Sequence, residues 1–225
     1  MLAGQGDSAH ESGKHVFTST DGTFHFEYSA FLVPCERNPN RADLWRPDVS
    51  CEAFTPVCSD FAAQSNETVA CIAYPAEAIK GTDFEAAAFS VSELKAATTE
   101  AKCLKVEGPP PRVGSARKET VNGVIFTVVE TDGVETGNLI DGYVYRSFHR
   151  NKCYELDVRI AYFNPAYSDP AAIKDFDFKA VHHRLKQVLD TFTFVKQAWM
   201  VDGRPETVAA PNGENMRFHV LTAGH

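Results

Sequence analysis

The groups in this chain that could do chemistry cluster around one segment. His149 and Cys153 stand four residues apart across Arg150-Asn151-Lys152. A thiol beside an imidazole is the simplest nucleophile–base pair. Nothing in the sequence activates that thiol, and half of a disulfide accounts better for Cys153. His182 and His183 are adjacent. Neighbours on a helix diverge by about 100°, so a metal there needs further ligands such as His149, Glu155 or Asp157. Ser92-Glu93-Leu94-Lys95 fits the S-x-x-K pattern, but the companion S-D-N and K-T-G motifs are missing, and Ser92 reads as a strand-end serine. The sequence contains no nucleophile elbow, P-loop or dinucleotide fingerprint. No catalytic, cofactor-binding or metal residue is assigned on this basis, and no cofactor is expected.

These groups are held by a hairpin. Tyr143-Val144-Tyr145-Arg146-Ser147-Phe148-His149 leads to a polar turn, and the chain returns through Cys153 to Phe163. On the return Tyr154, Leu156, Val158, Ile160 and Tyr162 share one face, and Glu155, Asp157 and Arg159 the other. Period-two alternation of this kind is a half-buried strand. If its charged face is covered, the charges must pair, for example Asp157 with Arg159 or Arg146. Solvated, the same face is an ordinary sheet surface or a place to recognise a ligand.

Other elements surround this centre. Residues 15–29 form a second hairpin signal, with Asp21-Gly22 in the position of a two-residue turn. Its register sets Phe17 opposite Phe26, beside Phe24 and Tyr28, and leaves His25 on the far face as a packing residue. Residues 69–74 and 84–91 read as strands. A brief helical turn follows at 76–80, and Thr98 is placed to cap a short helix ending at Leu104. Asn122-Gly123 between β-branched residues signals a further hairpin feeding a strand over 124–131. The glycine-containing stretch 132–141 reads as a mobile loop. Ser168-Asp169-Pro170 reads as a helix start. The main helix is expected over 177–190, with Phe178, Val181, Leu185, Val188 and Phe192 as its buried stripe. Thr191-Phe192-Thr193-Phe194-Val195 then returns to the sheet. Asp202-Gly203 and Asn212-Gly213 suggest a C-terminal hairpin.

With 225 residues, the chain suits a single α+β domain with appendages. Residues 1–14 read as a disordered leader and 15–196 as the domain, with a cysteine-containing insertion at about 34–68. Residues 197–225 read as a C-terminal extension. Sixteen Phe against three Met indicate a well-specified core. A formal charge of −8 argues against nucleic acid and anionic lipid as general partners. No run approaches the ~20 apolar residues of a spanning helix, so no transmembrane segment is expected.

The six cysteines lie outside any CxxC or zinc-ligand spacing. Their even number and wide spacing suit disulfides, with buried thiols in a reducing compartment as the other account. The pairings expected are Cys103–Cys153, Cys58–Cys71 and Cys35–Cys51. Disulfides imply export to the periplasm, the envelope or the extracellular space. The polar start then follows a signal peptide already removed; a cytosolic protein with a loose start is the alternative. Asn66-Glu67-Thr68 matches a glycosylation sequon by pattern only.

The opening Phe17…Asp21-Gly22-Thr23-Phe24-His25-Phe26-Glu27-Tyr28, the central hairpin, and the helix running into Thr191-Phe192-Thr193-Phe194 together resemble the PsbP family of photosystem II extrinsic proteins. A Ran-binding nuclear import factor shares that fold. The resemblance covers roughly 15–195. It implies an antiparallel β-sheet flanked by helices, an α/β/α sandwich, in proteins that mostly bind other proteins. The chain departs from the family where Cys35 follows Pro34 and Trp45 falls inside a long insertion.

The function expected is a non-catalytic, exported binding or assembly module. Its partner would be a protein or small ligand met by loops 36–68 and 132–141 on a rigid sheet. The alternative is an envelope hydrolase or metal-dependent enzyme using His149, His182 and nearby carboxylates, which requires those groups to converge in one pocket.

Overall fold

A computed structural model describes residues 13–37, 45–46, 66–105, 115–135, 137–164, 174–196, 200–201 and 204–205. The chain divides into two compact units, Met1–Phe194 and Val195–His225. In the first, β1 (Lys14–Thr18) and β2 (Phe24–Ser29) form a hairpin, followed by β3 (Val33–Pro34), β4 (Glu36–Arg37), β5 (Trp45–Arg46) and β6 (Asn66–Ala73). A 3-10 turn (Ala76–Ile79) leads to β7 (Phe84–Leu94) and the one-turn helix α1 (Glu100–Leu104). Next come β8 (Arg117–Val121), β9 (Val124–Glu135), β10 (Asn138–His149) and β11 (Lys152–Phe163). Helix α2 (Phe178–Leu189) and β12 (Thr193–Phe194) complete the unit. In the second unit, β13 (Met200–Val201) pairs antiparallel with β14 (Arg204–Pro205), a short hairpin.

The main sheet has seven strands in the order β3-β6-β7-β11-β10-β9-β8, and every pairing is antiparallel. Its centre is the hairpin β10–β11, paired from Asn138↔Phe163 to His149↔Lys152. Arg150 and Asn151 both have positive φ, 50° and 59°, as a two-residue type I′ turn requires. Asn122 (φ 46°) and Gly123 (φ 81°) make the same turn between β8 and β9.

One face of this sheet is the main core. Phe24 and Phe26 from the three-stranded sheet β1-β2-β12 meet Phe89, Phe126, Tyr145, Tyr154 and Phe192, all nearly inaccessible to solvent. Helix α2 lies on the same face, burying Val181, Leu185, Val188 and Leu189. Asp177 Oδ1 accepts from the Ala180 amide at 3.0 Å and caps its start. Each fully buried Phe contributes about 1.5–3 kcal/mol through removal of apolar area. The opposite face carries α1, tied to β11 by the Cys103–Cys153 disulfide, with Sγ atoms 2.00 Å apart. The result is the expected α+β sandwich, with an antiparallel sheet between helical layers.

Several local expectations are corrected. Residues 132–141 are not a loop: β9 and β10 pair through Asp132↔Asp141, Gly133↔Ile140, Val134↔Leu139 and Glu135↔Asn138. The ladder hydrogen bonds prevail there over the glycine content. The turn at Asp21-Gly22 is longer than two residues, since β1 ends at Thr18 and β2 begins at Phe24. Within it Ser19 Oγ accepts from the Thr23 amide at 2.9 Å and the Phe24 amide at 3.1 Å. The cap of α1 is Thr99 rather than Thr98, its hydroxyl accepting from the Lys102 amide. The strand carrying Ser92 runs on to Leu94. Cys71 is a buried thiol on β6, so the Cys58–Cys71 pairing is not made. Cys35 is disulfide-bonded, in a pairing that lies outside the described residues, as do Cys51, Cys58, the helix start at 168–170, the Asn212-Gly213 turn and most of the 34–68 insertion.

Candidate functional site

Strand pairing carries the polar side chains of β11 across the sheet in rows on the face opposite α2. The first row reads Lys118, Thr127, Arg146, Glu155, Ser92 and Thr68, each directly opposite the next. Lys118 Nζ donates to Thr127 Oγ1 at 2.7 Å, Arg146 Nε to Glu155 Oε2 at 2.6 Å, and Ser92 Oγ to Thr68 Oγ1 at 3.3 Å. Arg146 Nη1 also donates to the Lys105 carbonyl just beyond α1, at 3.0 Å. Two residues further along β11, Arg159 Nε and Nη2 both reach Asp157 Oδ1, at 3.1 and 2.9 Å. Glu155, Asp157 and Arg159 are 4%, 6% and 7% exposed. Charges this far from water persist only when paired.

Gly142 makes room for this arrangement. A Cβ there would lie 2.3 Å from the Val158 carbonyl oxygen and 3.1 Å from Arg159 Cγ. The Arg159 side chain therefore crosses the strand at a point where no other residue fits.

The electrostatics of the row favour a proton on Glu155. Burial, reinforced by the Asp157 carboxylate, outweighs the Arg146 guanidinium and lifts its pKa from 4.5 to about 7. Such a carboxyl exchanges a proton near neutrality. The groups around it are ion-pair and hydroxyl partners, not an activated nucleophile.

The groups singled out in the sequence do not converge. Alternation along β10 and β11 puts His149 on the α2 side and Cys153 on the other, where its sulfur is bonded to Cys103. That removes the thiol–imidazole pair. His149 stacks on Phe194, ring centroids 4.0 Å apart, and His182 lies between Tyr143 and Phe178. Desolvation lowers the pKa of both, with help from Arg150 at His149 and from Lys186 and His183 at His182. The sheet separates both histidines from Glu155 and Asp157, so the constellation of His149, His182 and these carboxylates is not assembled. His183 is exposed on the outer side of α2. No group of three metal-ligating side chains occurs among the described residues. Ser92 spends its hydroxyl on Thr68 and has no nucleophile geometry.

A concave surface occurs where sequence reasoning placed none. A groove of about 380 Å³ runs between the β1–β2 hairpin and the C-terminal half of α2, with Lys14, Glu27, Tyr28, Arg184, Gln187 and Asp190 among its walls. Lys14 Nζ pairs with Glu27 Oε2 at 3.0 Å, and the Arg184 guanidinium sits 4.4 Å from the Phe31 ring centre. The floor is fixed by Thr191, whose Oγ1 accepts from the Glu27 amide at 2.8 Å. Its residues come from opposite ends of the domain, so no local motif announces it. The Arg146–Glu155 pair was closer to reach, since hairpin register alone sets those two opposite each other.

No helix among the described residues is long and apolar enough to cross a membrane. No protein-family model matches the chain, and no curated protein matches it. Among solved structures the chain is similar to the solution structure of cyanobacterial PsbP (CyanoP) from Synechocystis sp. PCC 6803. The identity is 9% and the TM-score 0.43, over 87% of this chain and 99% of that one. This is a distant PsbP-like resemblance of fold, and no residue role is transferred from it.

Proposed function

We propose that this protein is a non-catalytic, exported binding or assembly module. Its partner, a protein or small ligand, is met by the groove between β1–β2 and α2. The observation that carries this reading is the division of the reactive groups by the sheet. The histidines are stacked on half-buried aromatic rings at the margin of the core, and the carboxylates are paired on the other face. The groove combines a half-buried aromatic, Tyr28, with exposed charged and amide side chains on rigid elements, as recognition sites do. Export is supported by the Cys103–Cys153 disulfide, a bond that persists in oxidising compartments. No nucleic acid, metal or cofactor enters this reading.

The test is charge reversal in the groove. Lys14→Glu with Arg184→Glu is compared with the unaltered protein in cross-linking on the intact cell envelope of the source organism. The expected result is a specific cross-linked species lost in the double variant, with an unchanged melting temperature. Equal cross-linking by both proteins would remove the groove from the function.

A further inference from the structure

We infer that α1 is a redox-controlled strap: the Cys103–Cys153 bond holds it shut over the Arg146–Glu155 pair, and the reduced chain leaves it open. The inference rests on how little else among the described residues holds α1 in place. The helix has five residues, of which Cys103 alone is buried. Helices of that length have no independent stability in water. The apolar contacts around it form a cluster separate from the main core, made of Leu94, Cys103 and Cys153 with Ala97, Leu104 and Phe148 at its margin. Of these, only Ala97, Cys103 and Leu104 belong to the strap. Thr99 supplies one capping bond to the Lys102 amide at 3.3 Å.

The strap is joined to the sheet's charged row two residues beyond the disulfide. The Lys105 carbonyl accepts from Arg146 Nη1 at 3.0 Å, while Arg146 Nε holds Glu155 at 2.6 Å. The disulfide and this carbonyl contact thus clamp the C-terminal end of the turn onto two neighbouring strands, β11 and β10, and its N-terminal end is left to the Thr99 cap. Opening it removes an acceptor from Arg146 and admits water to an otherwise buried pair. The covalent step is thiol–disulfide exchange. On closing, two cysteine thiols lose two protons and two electrons to a disulfide oxidant, whose own S–S bond becomes two thiols. A chain still in a reducing compartment therefore has the strap open, and oxidation closes it.

The experiment is hydrogen exchange on three samples of the full chain: oxidised, reduced with a dithiol, and Cys103→Ser with Cys153→Ser left unreduced. The double variant separates this bond from the one at Cys35. Exchange of the amides over 97–105 is expected to rise about tenfold or more in the second and third samples, that over 144–149 to rise less, and that over 86–91 and in α2 to stay unchanged. In the reduced chain, Cys103 and Cys153 should also alkylate about tenfold faster than the core thiol Cys71, since accessibility governs thiol reaction. Unchanged exchange over 97–105 would overturn the inference, because packing alone would then hold the strap. So would loss of protection throughout the core, or failure of the double variant to fold, because the bond would then staple the whole domain.

Discussion

Arg146 and Glu155 face each other across the central hairpin, Nε to Oε2 at 2.6 Å, with side chains 15% and 6% exposed. Removing one partner of such a pair strands the other charge out of water, at a cost of about 3–5 kcal/mol. Glu155→Leu, which leaves the guanidinium uncompensated, is therefore expected to lower unfolding stability by about that amount. Arg146→Met with Glu155→Leu should recover much of it, because the apolar pair needs no desolvation of charge. Urea unfolding of the two variants measures the difference, and equal losses would mean that Arg146 finds another carboxylate, such as Asp157.

Glu155 also gives stability a pH dependence of unusual sign for a carboxyl. Its pKa rises from 4.5 to about 7 on folding, so the native state holds a proton that the unfolded chain gives up between those values. The contribution is complete below pH 4.5 and is lost as pH rises through 7. It amounts to about 3 kcal/mol at most. Glu155→Gln should flatten this fall in unfolding free energy between pH 5 and about 7.5. An unchanged slope in that variant would assign the proton elsewhere.

The fold was legible where a short-range pattern dictates it. Tyr154, Leu156, Val158, Ile160 and Tyr162 announce β11 by alternation, and Asn122-Gly123 announces its turn. The α2 stripe is right at Val181, Leu185 and Val188, whereas Phe178 is only partly buried, Phe192 is buried beyond the helix end and Leu189 was missed. The stretch 132–141 was misread because glycine and acidic residues lower strand propensity locally, while the ladder to a neighbouring strand is a non-local gain. The turn after Ser19 was misread because one hydroxyl accepts two amide donors, a bond that Asp21-Gly22 does not encode. The candidate site was less legible. Alternation put Glu155, Asp157 and Arg159 on one face, yet only the neighbouring strands decide that this face is buried. The Asp157–Arg159 pair was foreseen, and Arg146 went to Glu155 instead.

Gly142 tests how tightly the charged face is built. A methyl group there collides with the Val158 carbonyl oxygen, 2.3 Å away, and crowds Arg159 Cγ at 3.1 Å. The carbonyl belongs to a central ladder and has no room to yield. Gly142→Ala is expected to destabilise the domain by about 1–3 kcal/mol, as overpacking does. The Cys103–Cys153 bond should still form. Thermal unfolding, together with alkylation without reduction, checks both halves; a variant as stable as the parent would mean that β10 shifts to accommodate the methyl group.

The histidines set a slope opposite to that of Glu155. His149 lies against Phe194 with its Nε2 buried and lacking a hydrogen-bond partner among the described residues. Desolvation, then the Arg150 charge, lowers its pKa below 6.5, and His182 is lowered likewise by desolvation, Lys186 and His183. Both are therefore neutral in the native state where the unfolded chain has begun to take up protons. Their contribution is complete well above pH 6.5 and is lost as pH falls through the lowered native values. In a Glu155→Gln background, where the carboxyl slope is gone, stability should thus decline on acidification from about pH 7.5 to 5. His149→Phe keeps the stacking on Phe194 and removes one titrating ring. It should reduce that decline, and adding His182→Phe should reduce it further. Urea midpoints at intervals across this range give the answer directly. A decline that survives both substitutions would mean that His149 and His182 are not its source.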